Sequence, residues 1–220
     1  FFPANSDGDD LVIFTDESRT TERVRFSYPR QRKEPFLCIA DFFRPVSSGE
    51  ADYAAFHIVT MGEAVSERTA ELFAADKYQD YLLLHGLGVE MAEALAEWLH
   101  KRARADWGYG REESLSIEEL VREKYRGIRP APGYPACPDH TEKRTLFDLL
   151  EGEKATGVTL TESFAMWPGS SVSGLYFAHP ESKYFGVGKI KRDQLASYAE
   201  RKGWTIEEAE THLAPILDGA

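Results

Sequence analysis

"LVIFTDESRTTERVRFSY", residues 11–28, holds two short runs rich in β-branched and aromatic residues, separated by a brief polar gap. Runs of this kind bounded by turn formers read as strands, here over 11–18 and 21–28. The gap is far too short for the crossover that parallel neighbours need, so the pairing is predicted to be antiparallel. "FLCIADFF" (36–43) and "YAAFHIVTM" (53–61) extend the strand pattern. "RQRKEP" and "RPVSSGEAD" read as exposed connections, the first a basic tip.

After Gly62 the period changes. Residues 66–107 carry helical spacing, with Ser66 as the expected N-cap. Met91, Leu95, Trp98 and Leu99 fall at i, i+4, i+7 and i+8, which predicts a stripe facing the core. Glu90, Glu93 and Glu97 lie beside or opposite it, where a solvated acidic face is the plainest reading. "SLSIEELVREKYRG" (114–127) opens with Ser116 followed by Glu119, the spacing of a capping box. Residues 139–157 return to helix and stop at Gly157. Residues 158–190 read as three strands in a meander, turning at "WPGSS" and "HPESK". Two helices close the chain, the second opened by Thr205 with Glu208. Together these predict one α+β domain over 1–220, a twisted antiparallel sheet with helices packed on it.

Composition narrows the function. A net charge of −11 disfavours sequence-tolerant nucleic-acid binding. It suits a cationic ligand or a basic partner, or serves solubility alone. No apolar run approaches the ~18–20 residues of a membrane span, and no secretory signal precedes the first strand, so a cytoplasmic protein is expected. Cys38 and Cys137 stand alone and read as free thiols. The six histidines lack metal-ligand spacing, so no metal site is expected. A start on Phe1-Phe2 predicts a piece of a longer polypeptide. No nucleophile elbow, P-loop or dinucleotide turn is present, and "YFGVGKI" lacks the third glycine and the context of one.

"RPAPGYPACP" (129–138) is the most distinctive stretch, with prolines at 130, 132, 135 and 138. Each proline fixes its own φ and biases the residue before it towards extended backbone. A stiff rail is therefore predicted, with Arg129, Ala131, Tyr134 and Cys137 held extended and carbonyls open to a ligand. Gly133 allows close approach or a positive φ. Arg129 brings a planar cation suited to a carboxylate, and Tyr134 a flat amphipathic ring. Such a rail suits a zwitterionic small molecule; a structural tie across the surface is the alternative.

"YRGIRPAPGYPACPDHTEK" (125–143), "TGVTLTESFAMWPGSSVSGLYFAHPESKYFGVGKI" (156–190) and "RDQLASYAERKG" (192–203) resemble the C-terminal reactivation domain of cobalamin-dependent methionine synthase. The likeness continues through "PANSDGDD", "IADF", "ADYAAFHIVT" and "LAPIL", and so spans essentially the whole chain. It implies a C-shaped α+β domain of a methyltransferase that moves a methyl group from methyltetrahydrofolate to homocysteine. The domain binds S-adenosylmethionine and supports reductive remethylation of cob(II)alamin. The implied partners are the cobalamin-binding domain of the same polypeptide, which holds the cobalamin, and a flavodoxin-type reductant.

By the same resemblance, Arg129 contacts the ligand carboxylate, with Ala131, Gly133 and Tyr134 completing its motif. Tyr184 and Phe185 line the site from a facing strand, Phe185 by packing where some relatives carry tyrosine. Glu93 and Glu123 are the carboxylates near the sulfonium, and no residue is expected to be catalytic. A family aspartate that holds the ligand's amino group would precede Phe1, so weaker binding is expected of this piece, and no turnover by itself. The competing functions are a non-catalytic docking module for the cobalamin domain and the flavodoxin-type donor, and a stand-alone methyltransferase.

Overall fold

The structure, a computed structural model, describes residues 1–218. Strands β1 (Phe2–Asp7), β2 (Asp10–Phe14), β3 (Glu22–Ser27) and β4 (Asp52–Thr60) come first. Helices α1 (Glu63–Ala74), α2 (Tyr78–Trp107), α3 (Ile117–Val121), α4 (Glu142–Leu150) and α5 (Gly152–Thr156) follow. Then come β5 (Thr159–Leu160), β6 (Met166–Trp167), β7 (Ser171–Tyr176), α6 (Arg192–Lys202) and α7 (Ile206–Leu213). The five-stranded sheet has the order β3-β2-β1-β4-β7, and β5 pairs with β6 separately. The α+β, antiparallel expectation holds: β1 pairs antiparallel with β2 and β4, and β2 with β3.

The chain divides into two compact units, one of Phe1–Phe56, Arg126–Thr145 and the chain from Leu175 on, the other of His57–Tyr125 and Leu146–Gly174. In the first, β1 and β2 form a hairpin around Gly8-Asp9, with Gly8 at φ 61°. Glycine at the first position of a two-residue loop gives the twist that joins right-handed strands. All of β2 is buried, and Phe26 stacks on Phe56 with centroids 5.0 Å apart. A second cluster joins α6 and α7 through Leu195, Tyr198, Ala209 and Leu213 to Val187 and Ile190.

Several expectations are corrected here. β1 includes Phe2, whose ring meets Phe56 edge-on, so the opening residues belong to the sheet. "FLCIADFF" is not a strand: Ile39–Phe42 form a 3-10 turn. Its cause is Asp41, whose carboxylate takes the Cys38 N–H at 2.8 Å and folds the run back on itself. Local side-chain acceptors compete with a sheet ladder in just this way.

In the second unit the helical run breaks after Ala74, and α1 is capped by Gly62, not Ser66. The predicted core stripe of α2 is also wrong. Met91, Leu95 and Trp98 are exposed and Leu99 only half-buried, whereas Gly88, Ala92, Ala96, His100, Ala103 and Arg104 are buried. Small residues every fourth position let neighbouring backbones approach closely, as a row of large side chains does not. At Gly88 a Cβ would stand 2.6 Å from Ser170 Oγ and 2.8 Å from Val65 Cγ1. Arg104 is wholly buried because Glu113 grips it twice, Nε at 3.0 Å and Nη2 at 2.7 Å, and the Tyr125 ring lies 4.0 Å from its guanidinium carbon.

The capping boxes at Ser116 and Thr205 are present, and Gly157 ends α5 in the left-handed region. The helix expected over 114–127 is only α3, five residues long. The meander expected over 158–190 stops at Tyr176, since 177–189 form no strand. No helix among the described residues is long and apolar enough to cross a membrane.

Candidate functional site

Ile128 pairs with Phe177 by two reciprocal backbone hydrogen bonds of 3.4 Å, and Pro130 C=O accepts from Leu175 N–H at 3.0 Å. Residues 128–130 thus run beside the end of β7 in extended form. Arg129 sits between these contacts, half-buried, and its N–H donates to Tyr184 Oη at 3.1 Å. Arg126 secures the same run by donating from Nε to Ala178 C=O at 2.6 Å.

Beyond Pro130 the rail expectation fails. Tyr134 N–H donates to Ala131 C=O at 3.2 Å, and Cys137 N–H to Tyr134 C=O at 2.9 Å. These are two consecutive tight turns, tied together by Gly133 N–H on Cys137 C=O at 2.7 Å. Pro132 and Pro135 each hold the second position of a turn, where a fixed φ is an advantage. Gly133, at φ 97°, holds the third position of the first, as a type II turn requires. The carbonyls of Pro130, Ala131, Tyr134, Pro135 and Cys137 all have backbone partners, Pro135 taking Val187 N–H at 2.9 Å. The segment therefore offers side chains and a shaped backbone, not a row of open acceptors.

A buried ionic cluster holds the segment's far end. Asp139 accepts from Thr141 N–H and Thr141 Oγ1 at 2.8 Å each, and from Tyr198 Oη at 2.6 Å. Glu142, wholly buried, accepts from Ser27 N–H at 2.9 Å and Lys202 Nζ at 2.8 Å. Burial raises the pKa of Glu142, an effect that Lys202 opposes. Burial likewise raises those of Tyr198 and Cys137 well above their ordinary values. These groups are locked, and their arrangement is structural.

Tyr134 and Tyr184 are the exposed rings beside Arg129, at 61% and 41% of full exposure. Phe185 turns inward instead, against the α6–α7 cluster and with its centroid 6.2 Å from that of Phe42. Neither Tyr184 nor Phe185 lies on a strand, which corrects the facing-strand expectation.

The first unit thus brings Arg129, Ala131, Gly133, Tyr134, Tyr184 and Phe185 into one neighbourhood. Glu93, half-buried on α2, and Glu123, exposed beyond α3 with φ 53°, belong to the second unit. Sequence reasoning missed Asp139, fixed by Thr141 and Tyr198, and His140, whose ring lies against Gly133. The Pro132-Gly133 pair was itself the available signal, because Pro-Gly marks a turn.

The half-buried guanidinium of Arg129 and the exposed phenols of Tyr134 and Tyr184 make a surface able to pair with a carboxylate and to cover a flat ring. The family model for the activation domain of vitamin B12 dependent methionine synthase matches residues 1–203. A crystal structure of the MetH reactivation domain bound to AdoHcy matches with a TM-score of 0.96 and 50% sequence identity. The match covers 100% of this chain and 69% of that one.

Proposed function

The chain belongs to the family of activation domains of vitamin B12 dependent methionine synthase, and on that premise we propose that it binds S-adenosylmethionine at the Arg129–Tyr134 turns. The observation that carries this reading is the meeting of Arg129 and Tyr184 beside a positive-φ glycine turn, in a fold shared with an AdoHcy-bound domain. AdoHcy is S-adenosylmethionine without the transferable methyl group. Arg129 pairs with the ligand carboxylate, Ala131 and Gly133 bring backbone close to it, and Tyr134 and Tyr184 cover its flat parts. Phe185 backs them by packing.

Residues 1–220 act in this reading as a reactivation domain in the cytoplasm. The whole enzyme is the methyltransferase, and this chain alone does not turn over. The cobalamin is held mainly by another domain of the same polypeptide. When it is present as cob(II)alamin, one electron from a flavodoxin-type donor and the methyl cation of S-adenosylmethionine restore its methylated form and release AdoHcy. The part played by this chain's residues is to bind and orient the methyl donor.

Isothermal titration with S-adenosylmethionine tests the proposal. Arg129→Ala is expected to weaken binding by about 2–4 kcal/mol, the scale of a lost charge-assisted pair. Its melting temperature is expected to stay close to that of the parent. Unchanged affinity removes Arg129 from the site, and no binding by the parent chain overturns the reading.

A further inference from the structure

The backbone at Gly133 lies against an aromatic ring. A Cβ built there would meet the His140 imidazole, nearest to Cε1 and only 2.6 Å from Nδ1 and 2.9 Å from Nε2. Real side chains do not come so close, so the turn can seat itself on this ring only with glycine at 133. The ring is in turn held in place. Lys143, 8% exposed, sets its Nζ 2.9 Å from His140 Nδ1, and Lys143 N–H donates to His140 C=O at 3.1 Å. A charged ammonium has donors only, so Nδ1 accepts and the ring proton rests on Nε2. Asp139, immediately before His140, is fixed by Thr141 and Tyr198.

We propose that His140 is a positioning residue for the methyl-donor site: its neutral imidazole, steadied by Lys143, is the platform on which the Gly133–Tyr134 turn rests. This deepens the proposed function and rests on it. Within the turn, backbone bonds run from Ala131 to Cys137 and fix its shape; outside it, Pro135 C=O takes Val187 N–H at 2.9 Å, which ties down the second half of the segment and leaves the Gly133 half to the ring. Tyr134 is largely exposed and cannot anchor the turn by burial. The ring against Gly133 is the contact that steadies this half of the turn, and with it the station of Tyr134; Arg129, before the turn, is held by its own bonds beside β7.

The platform is also sensitive to charge. The charged and titratable groups facing His140 are the Lys143 ammonium and the Asp139 carboxylate; behind Lys143 stands the Cys137 thiol. Burial, then Lys143, holds the imidazole below its ordinary pKa, and Asp139 acts the other way. Protonating the ring would set two cations 2.9 Å apart and remove the acceptor that Lys143 uses. Because the folded value is the lower one, the neutral platform is complete at neutral pH. It is lost as the pH falls below the ordinary imidazole range.

The experiment is a double-mutant cycle of Gly133→Ala, His140→Ala and the pair, read by calorimetry with S-adenosylmethionine and by urea unfolding without it. Gly133→Ala is expected to weaken binding about tenfold or more and His140→Ala about three- to tenfold. The pair is expected to lose less than the product of the two, because removing the ring makes room for the new methyl. Binding by the parent is expected to hold at neutral pH and to weaken as the pH falls below the ordinary imidazole range, about 6.5, and His140→Ala to flatten that change. Independent effects in both readouts overturn the proposal, as does full affinity in His140→Ala. The two readings fail separately. If the parent binds nothing, the proposed function fails, while coupling in the urea cycle still reports the contact. If Arg129→Ala weakens binding and His140→Ala does not, only the present inference fails.

Discussion

The phenolic oxygen of Tyr184 accepts a hydrogen bond from the backbone N–H of Arg129 at 3.1 Å, across 55 positions of sequence. The bond orients the ring and the arginine backbone together, and Tyr184 remains 41% exposed. Tyr184→Phe keeps the ring and deletes the acceptor. It is expected to weaken S-adenosylmethionine binding by about 0.5–1.5 kcal/mol, with little change in unfolding free energy. Calorimetry on the variant checks this, and parent-like affinity detaches Tyr184 from the site.

The two faces of α2 are expected to respond oppositely to substitution. Gly88→Ala must displace Ser170 or Val65, and Ala96→Leu must open a fully buried position. Each is expected to cost about 1–3 kcal/mol by overpacking. Leu87→Gln, at a side chain 56% exposed, is expected to stay within about 0.5 kcal/mol. Urea midpoints rank the three, and a larger loss at Leu87 than at Gly88 would reverse the assignment of faces.

Lys202 is the cation between Asp139 and Glu142, at 3.6 and 2.8 Å. Its removal leaves two buried carboxylates uncompensated, so Lys202→Ala is expected to cost about 3–5 kcal/mol at neutral pH. The sign with pH follows from the raised pKa of Glu142, which burial causes. A carboxyl that is easier to protonate when folded favours the fold at low pH and penalises it as pH rises through the folded value. Without Lys202 that penalty grows, so the deficit is expected to be smallest in mild acid. Denaturation at several pH values measures it, and a deficit independent of pH contradicts the charge account.

Both thiols are buried and free. Burial pushes Cys38 up to about 12 and Cys137 well above its ordinary value. The thiolate is the reactive form. A small aromatic disulfide reagent near about pH 8 is therefore expected to label neither cysteine in the folded protein and both after denaturation. Rapid labelling under native conditions would show that one of the two pockets opens.

Much of this protein was legible in its residues one at a time. Antiparallel pairing follows from connections too short to cross over, as the Gly8-Asp9 hairpin shows. Ser116–Glu119 and Thr205–Glu208 announce helix starts because their atoms meet within one turn of chain. The residues of the proposed site were named from the "RPAPGYPACP" segment and from family resemblance. Their arrangement was not. Proline stiffness by itself predicts extension, whereas Pro132-Gly133 and Pro135 at turn positions bend the same segment.

The remainder depended on neighbours that are remote in sequence. Hydrophobicity alone placed Met91, Leu95 and Trp98 in the core, but the packed face of α2 is the one whose small residues admit Val65 and Ser170. The meeting of Arg129 with Tyr184 needs β7 and the turn after it, and the burial of Glu142 needs Ser27 and Lys202. Short-range chemistry, the turns, caps and strand pairing, is determined by the sequence because its partners lie a few bonds away. Which face is buried, and which side chain stands over which, was decided only in the tertiary structure, where close approach of distant backbones outweighs the apolar area of any one stripe.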